Sequence, residues 1–502
     1  MSLSVFVEAF WTVLSWPVIF WLVAGMLIGI IVGSLPGLGA SLGMAILLPL
    51  TLALDGISAI ILLISIYSGA MYGGSIAAIL VNAPGTSAAA ATTFDGYPMS
   101  RQGKAVTALS LSATSSALAG FITVAALIVA SPVLITVVRM FGSPEYFLIA
   151  ILGLAMITIV AQGAMVKGLI AGFFGLSLTT VGSAPMTADV RYTFDYFALF
   201  DGVSFVAALI GLFAVAEMLK LAGERGGISK GEVRMGGDVL PAVKSVLNHP
   251  VTLLKSAFLG MGIGAIPGAG STVSNFVAYT EAVRSSDDPG SFGHGNEVGV
   301  IASEASNNGT IGGSVVPAIA FGIPGSAATA VLIGGLIMHG LVPGPELFDA
   351  DANLIVTYSV FIALLLGNVI ILAVGLGLVT RAGYLTRIDT KYIIPMIIAL
   401  AFLGAFALRS GNWFDVVTIV ALGIMGYYMK RYNYSIIAFV LGVVLGSIAE
   451  ENLYRSVILS RRVDFPVDLP VSIFFVRPIS LLLLVGIVVL LIGPIVRPYL
   501  DR

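Results

Sequence analysis

The sequence predicts an all-α polytopic membrane protein made of two related halves, on three observations. Of its 502 residues 58% are hydrophobic and 10% charged, and the mean hydropathy is +1.05, a balance that needs a bilayer as solvent. Continuously apolar runs of about 20 residues, enough to cross a hydrocarbon core, recur from end to end. A set of glycine–proline motifs occurs twice in the same order, on either side of one long polar segment.

The apolar runs include residues 17–35, 57–80, 105–130, 352–379, 392–408, 436–448 and 471–492. By length they predict about 12 transmembrane helices, with broken helices or re-entrant hairpins where glycine and proline interrupt them. A barrel would alternate in polarity along short strands, and these runs do not. The N-terminal stretch MSLSVFVEAFWTVLSWPVIFW has neither a basic leader nor a small-residue cleavage site, so no processing is expected. With no cysteine, disulfides, thiolate metal sites and cysteine nucleophiles are excluded. No basic tract suggests a nucleic-acid partner.

The polar segment, residues 220–249, divides the chain into a first transmembrane repeat (1–219) and a second (250–502). GIIVGSLPGLGAS (29–41) is answered by GMGIGAIPGAGST (260–272), and YGGSIAAILVNAPGTSAAA (72–90) by IGGSVVPAIAFGIPGSAATA (311–330). A weaker echo links DGYP (95–98) with HGLVPG (339–344). Three motifs in one order outweigh any single glycine match in a chain with 59 glycines. The second half is longer between its first two motifs, mostly in the loop SSDDPGSFGHGNEVG (285–299). Lys220, Arg225, Lys230, Arg234 and Lys244 put the linker in the cytoplasm by the positive-inside rule. No Lys or Arg precedes Trp16, which permits an outside N-terminus. An odd number of spans in the first half would then make the repeat inverted.

Proline lacks a backbone donor and glycine tolerates unusual dihedrals, so each PG motif should break a membrane helix. Broken backbone survives at membrane depth only when it is buried in protein or lines an aqueous cavity. Carriers use such breaks to aim helix N-termini at anions and free carbonyls at cations. The residues after the breaks suit that task, offering amides and hydroxyls without bulk: Gly37, Gly39 and Ser41; Gly85, Thr86 and Ser87; Gly268, Gly270, Ser271 and Thr272; Gly325 and Ser326. Asn82, Asn307 and Asn308 are the candidate coupling-ion ligands, the last two fitting interhelical glue equally well. The GxxxG glycines Gly25, Gly29, Gly33, Gly260 and Gly264 are assigned to close helix packing. Glu304 reads either as a functional ionisable group at membrane depth or as an interfacial residue beside the polar loop. Asp95 reads as part of a surface turn, with Arg101 and Lys104 as cytoplasmic anchors. His249, His294 and His339 lack metal spacing and are given no chemistry.

Taken together, PGLGASLGMAILLPLT, YSGAMYGGSIAAILVNAPGTSAAAATTFDGYPMSRQGKA, GAIPGAGSTVSNFVAYTEA, EASNNGTIGGSVVPAIAFGIPGSAATAVLIGGL and HGLVPGPELF resemble the large membrane subunit of the tripartite tricarboxylate transporters (TctA type). The resemblance runs from the first span to about Phe348. It implies a multi-pass carrier of the bacterial inner membrane, driven by a Na+ or H+ gradient and without a cofactor. The implied partners are a small membrane subunit and a periplasmic solute-binding protein, and the implied substrate is citrate or another di- or tricarboxylate. A membrane-embedded enzyme would need a nucleophile–base pair or a metal set, and a nucleotide-driven pump a Walker A motif. The sequence has neither. A channel is compatible with composition alone, whereas the paired breaks favour alternating access.

Overall fold

A computed structural model describes residues 3–160, 165–187, 189–223, 235–268, 270–387, 390–409, 411–461 and 470–500. Helices α1 (Leu3–Leu14) and α2 (Val18–Gly33) meet at a 67° bend, where Pro17 can supply no amide to continue the first helix. After the first PG break come α3 (Gly39–Leu47) and α4 (Gly56–Val81), the latter capped by Asp55, whose carboxylate accepts from Ser58 N at 3.0 Å. There follow α5 (Thr93–Arg101), α6 (Ala105–Met140), α7 (Ser143–Val160) and α8 (Met165–Leu178). A two-residue antiparallel pair, Gly182–Ser183 with Val190–Arg191, precedes α9 (Phe205–Gly223), which is π-helical over Ile210–Val215. Within the polar linker lies α10 (Val239–Asn248), and beyond it are α11 (Pro250–Gly264), α12 (Gly270–Arg284), α13 (Glu297–Phe321) and α14 (Ala327–Met338). The chain ends with α15 (Leu354–Gly377), α16 (Thr390–Leu408), α17 (Trp413–Arg431), α18 (Ile436–Ser460) and α19 (Pro478–Leu500).

Among the described residues five helices are long and apolar enough to cross a membrane, namely α4, α6, α9, α15 and α18, and the bent α1–α2 pair would make a sixth. Several other apolar helices are shorter, α3, α11 and α14 among them, because the PG motifs cut what would otherwise be single spans. The all-α expectation therefore holds as a class, while the count of about 12 depends on how the shorter helices are placed. The polar segment 220–249 is not uniformly irregular. The end of α9 occupies its first residues, and α10 lays Ala242 and Val246 against α6, at the spacing of an amphipathic helix. Arg225, Lys230 and Arg234 lie outside the described residues.

Two helices, α4 and α13, are buried along most of their length and form the centre of the molecule. Each is held by a glycine-faced partner. On α2, a Cβ at Gly25, Gly29 or Gly33 would run into the backbone or side chains of Leu62, Ser65, Ile66 and Ala70, and Gly69 and Gly73 on α4 answer from the other side. On α11, Gly260 and Gly264 meet Ser306 and Thr310, while Gly309 and Gly313 of α13 meet Ala257 and Met261. Helices gain no hydrophobic advantage from leaving lipid, so their association depends on this close backbone contact. Around the centre, α6 packs on α13 and α15, α18 on α7 and α8, and α17 on α9. The start of α19 is tied to α7 by Arg477 Nε on Glu145 Oε1 at 2.6 Å, with Ser480 Oγ donating to the same oxygen at 2.5 Å.

Gly313→Val should wedge α11 from α13 and cost about 1–3 kcal/mol of stability. Gly262→Val, on α11 where a Cβ meets nothing within 4 Å, should be nearly neutral. Thermal unfolding midpoints of the two purified variants check the contrast.

Candidate functional site

Both central helices end in the same way. Asn82 (φ 55°, ψ 29°) closes α4 and Gly322 (φ 67°, ψ 20°) closes α13, each in the left-handed conformation that ends helices. Pro84–Gly85 and Pro324–Gly325 follow at the same distance, and then Thr86 and Ser326, both extended and both N-caps of the next turn. Gly69, Gly73, Asn82, Gly85 and Thr86 thus correspond, at one constant offset in numbering, to Gly309, Gly313, Gly322, Gly325 and Ser326. The shared GGS strings are one residue out of this register. The first pair of breaks matches as well: Gly37 and Gly39 have φ of 84° and 64°, Gly268 and Gly270 of 73° and 61°.

The two kinds of break are packed together. A Cβ on Gly85 would overlap the Gly33 carbonyl oxygen, and one on Gly325 would lie 2.7 Å from the Gly264 carbonyl oxygen. Gly39 N donates to Gly85 O at 3.1 Å and Gly85 N to Gly74 O at 3.2 Å. The amides of Gly39 and Gly85, expected to be free for a ligand, are therefore spent on backbone carbonyls, because buried main-chain groups must be paired. Ser326 N is likewise taken by Thr329 Oγ1 at 2.8 Å in a capping box.

What the breaks leave open is a cavity of about 1100 Å³. Its wall contains Gly37, Gly39 and Ser41; Gly85, Thr86 and Ser87; Gly268, Gly270 and Ser271; and Ser326. Gly325 stays behind the wall against Gly264, and the side chain of Thr272 lies outside the described residues. Helices α3, α12 and α14 and the turn Ser87–Ala89 all begin at this cavity, and so does α18, through Ser435 and Ile437. The first amides of a helix have no intrahelical acceptor and carry the positive end of its dipole, so convergent starts make an anion-favouring wall. Thr86 Oγ1 is buried without a hydrogen-bond partner among the described residues. Tyr67 Oη lies 3.0 Å from Ser314 Oγ and 3.5 Å from Ser326 Oγ, at the meeting of α4, α13 and α14.

Sequence reasoning missed the charges of this wall. Glu217 on α9 is buried and pairs with both Lys220, at 3.4 Å, and Lys430 on α17. Two ammonium groups on one carboxylate leave one positive charge in surplus at the cavity. Lys220 had served only as a topology marker. Lys430 stands in KRYNYS, where the left-handed Asn433 and the N-cap Ser435 are legible stop and start signals.

The proposed ion ligands do not reach the cavity. Asn82 serves to terminate α4, and its counterpart Gly322 has no side chain at all. Asn307 is buried, its Nδ2 donating to Met71 O at 3.0 Å, and Asn308 Nδ2 lies 3.5 Å from Asn368 Oδ1. One expectation is corrected. Asp95 is not in a surface turn. It is a buried residue of α5 whose Oδ1 accepts from Gly293 N, Gly295 N and Asn296 N at 2.8–2.9 Å and whose Oδ2 accepts from Tyr279 Oη at 2.8 Å. Glu304, open between two readings by sequence, is fully buried within α13. His339 Nε2 lies 3.0 Å from Thr51 Oγ1, and burial lowers its pKa against the opposing influence of Asp55, which makes it an uncharged bridge.

With this geometry in hand, the comparisons with known proteins are specific. The family model described as the tripartite tricarboxylate transporter TctA family matches residues 19–441. An Agrobacterium vitis protein named "Uncharacterized 52.8 kDa protein in TAR-I ttuC' 3'region" is 34% identical over 96% of this chain and 95% of its own length. Another from the same organism, "Uncharacterized protein in TAR-II ttuC' 3'region", is 29% identical over 48% of this chain and 98% of its own length. No solved structure matches.

Asp95→Ala should release the 285–299 loop and raise its cleavage rate in limited proteolysis on the order of tenfold, since hydrogen bonds to a charged group are each worth about 1.5–3 kcal/mol. Unchanged cleavage would show that the loop is held by other contacts.

Proposed function

Because the chain belongs to the tripartite tricarboxylate transporter TctA family, and so is a multi-pass subunit of such a transporter, we propose that it imports small organic carboxylates of the citrate class across the bacterial inner membrane. In this reading a Na+ or H+ gradient drives the movement. A periplasmic solute-binding protein delivers the acid, and a small membrane subunit completes the complex. The observation that carries the proposal is the convergence of helix starts from both motif pairs on one cavity with a surplus positive charge. A multiply charged carboxylate needs many donors and a net positive field, and such a wall supplies both.

The matched geometry of residues 1–219 and 250–502 around the breaks supports a repeat, read here as inverted about the cytoplasmic linker 220–249. Lys220 opens that basic linker, so the cavity is read as facing the cytoplasm. The acid would lie between the hydroxyls of Ser41, Thr86, Ser271 and Ser326, with its carboxylates towards the starts of α3, α12 and α14. Alternating access would follow from movement of the turn-bearing helices relative to their surroundings.

Uptake of labelled citrate and a panel of di- and tricarboxylates into proteoliposomes, with both membrane subunits and the binding protein, tests this directly. Gradient-dependent accumulation of one acid is expected. Ser41→Ala, Thr86→Ala, Ser326→Ala and Lys430→Gln should each lower uptake on the order of tenfold at normal expression, the scale of one charge-assisted hydrogen bond. Wild-type uptake by all four variants would remove the site assignment.

A further inference from the structure

Behind the cavity lies a second polar centre that the substrate reading does not use. Glu304 is fully buried two turns into α13, a helix that is itself buried along most of its length. Its Oε2 accepts from Ser112 Oγ at 2.9 Å and Ser116 Oγ at 2.8 Å, both on α6, and its Oε1 from Thr92 Oγ1. Ser75 Oγ, on α4, is turned towards it without completing a hydrogen bond. Among the described residues none of the ion pairs includes Glu304, so its charge is not balanced by a side chain there. A lone carboxylate buried in protein is costly, and hydroxyl donors alone do not neutralise it.

The neighbourhood also holds acceptors that no donor reaches. Asn307 and Asn308, three and four residues after Glu304, share its face of the helix. The Oδ1 atoms of both are buried with no hydrogen-bond partner. Buried acceptors without donors ask for an explanation, and a cation supplies one. The ligand set is entirely oxygen, with no sulfur or imidazole, which selects a hard cation. A single carboxylate matches a single positive charge.

We propose that Glu304 is the charged ligand of a sodium-ion site, with Thr92, Ser112, Ser116, Ser75 and the Asn307 and Asn308 carbonyls as its neutral oxygen donors, and that this ion is the coupling cation. The proposal rests on the carrier reading for its role but not for its chemistry. It also supplies a physical link to the substrate. The segment that carries Thr92 begins at Thr86 in the cavity wall, and Asn307 holds the carbonyl of Met71, another wall residue. Ordering these oxygens around the ion therefore orders two parts of the wall at once.

The test uses the purified full chain with its small subunit and no carboxylate. The thermal unfolding midpoint is titrated with sodium chloride against choline chloride at fixed ionic strength, at several pH values. A ligand that binds only the folded state raises the midpoint saturably. The wild type should show a sodium-specific rise and Glu304→Gln none, while Ser112→Ala and Ser116→Ala should need on the order of tenfold more sodium for half the effect. The same sodium rise in Glu304→Gln as in wild type overturns the proposal. So does a wild-type midpoint that follows pH but does not distinguish sodium from choline, which would make Glu304 a proton site. If Glu304→Gln fails to assemble, the serine variants decide, and unchanged half-saturation in both overturns the site. A wild type that responds to sodium yet accumulates no acid in vesicles would sink the carrier reading and leave the ion site standing.

Discussion

The structure depends on one constraint: helices broken inside an apolar protein must find partners for the backbone groups that the breaks release. The chain meets it by setting the breaks against each other. Gly39 N is satisfied by Gly85 O, and Gly85 N by Gly74 O, which requires main chains to approach as closely as only glycine allows. Gly33, Gly74 and Gly85 therefore lack side chains for one shared reason, and the glycine faces of α2 and α4 extend the same contact along the helices. The second half repeats the solution with Gly264 and Gly325. Because Gly39 N, Gly85 N and Ser326 N are already paired, only the remaining first-turn amides beyond the breaks are left for the cavity.

The polar interior is organised by a few carboxylates rather than by the many hydroxyls. Glu217 gathers two lysines from helices far apart in sequence, Asp95 gathers three backbone amides and a phenol, and Glu304 gathers three hydroxyls. Each has a different partner class, and the partner class decides what the group can do. Paired with ammonium groups, a carboxylate is a fixed part of a charged wall. Held by backbone amides, it is a structural clasp. Surrounded only by neutral oxygens, it can hold a charge only when a counter-charge comes to it.

The breaks and their small hydroxyl residues were legible in the sequence because proline and glycine act locally, and ten of the proposed wall residues line one cavity. The charges were not legible in the same way. Lys220 and Lys430 each look like a residue at a helix end; helical spacing alone sets Lys220 beside Glu217, but only tertiary structure brings Lys430 to it. Asp95 was misread because Asp-Gly followed by proline is a turn signature, whereas its true partners arrive from a loop in the other half. Glu304 stays open in the sequence between a functional and an interfacial reading, because its burial within α13 comes from packing that the polar loop before it does not reveal. Asn82, a candidate ion ligand by sequence, also holds the left-handed conformation that ends α4, as the bare Gly322 does at the equivalent place.

The clasp at Asp95 bears on how the molecule can move. Residues 86–101 of the first half are bound to α12 and the following loop of the second half at several points. Asn275 Nδ2 donates to Ala88 O, Tyr279 Oη to Asp95, and Phe94 lies against the rings of Phe276 and Tyr279. Residues 86–101 of the first half are thus fastened to α12 of the second, so that any shift of α12 would be felt at the Thr86 edge of the cavity and at Thr92.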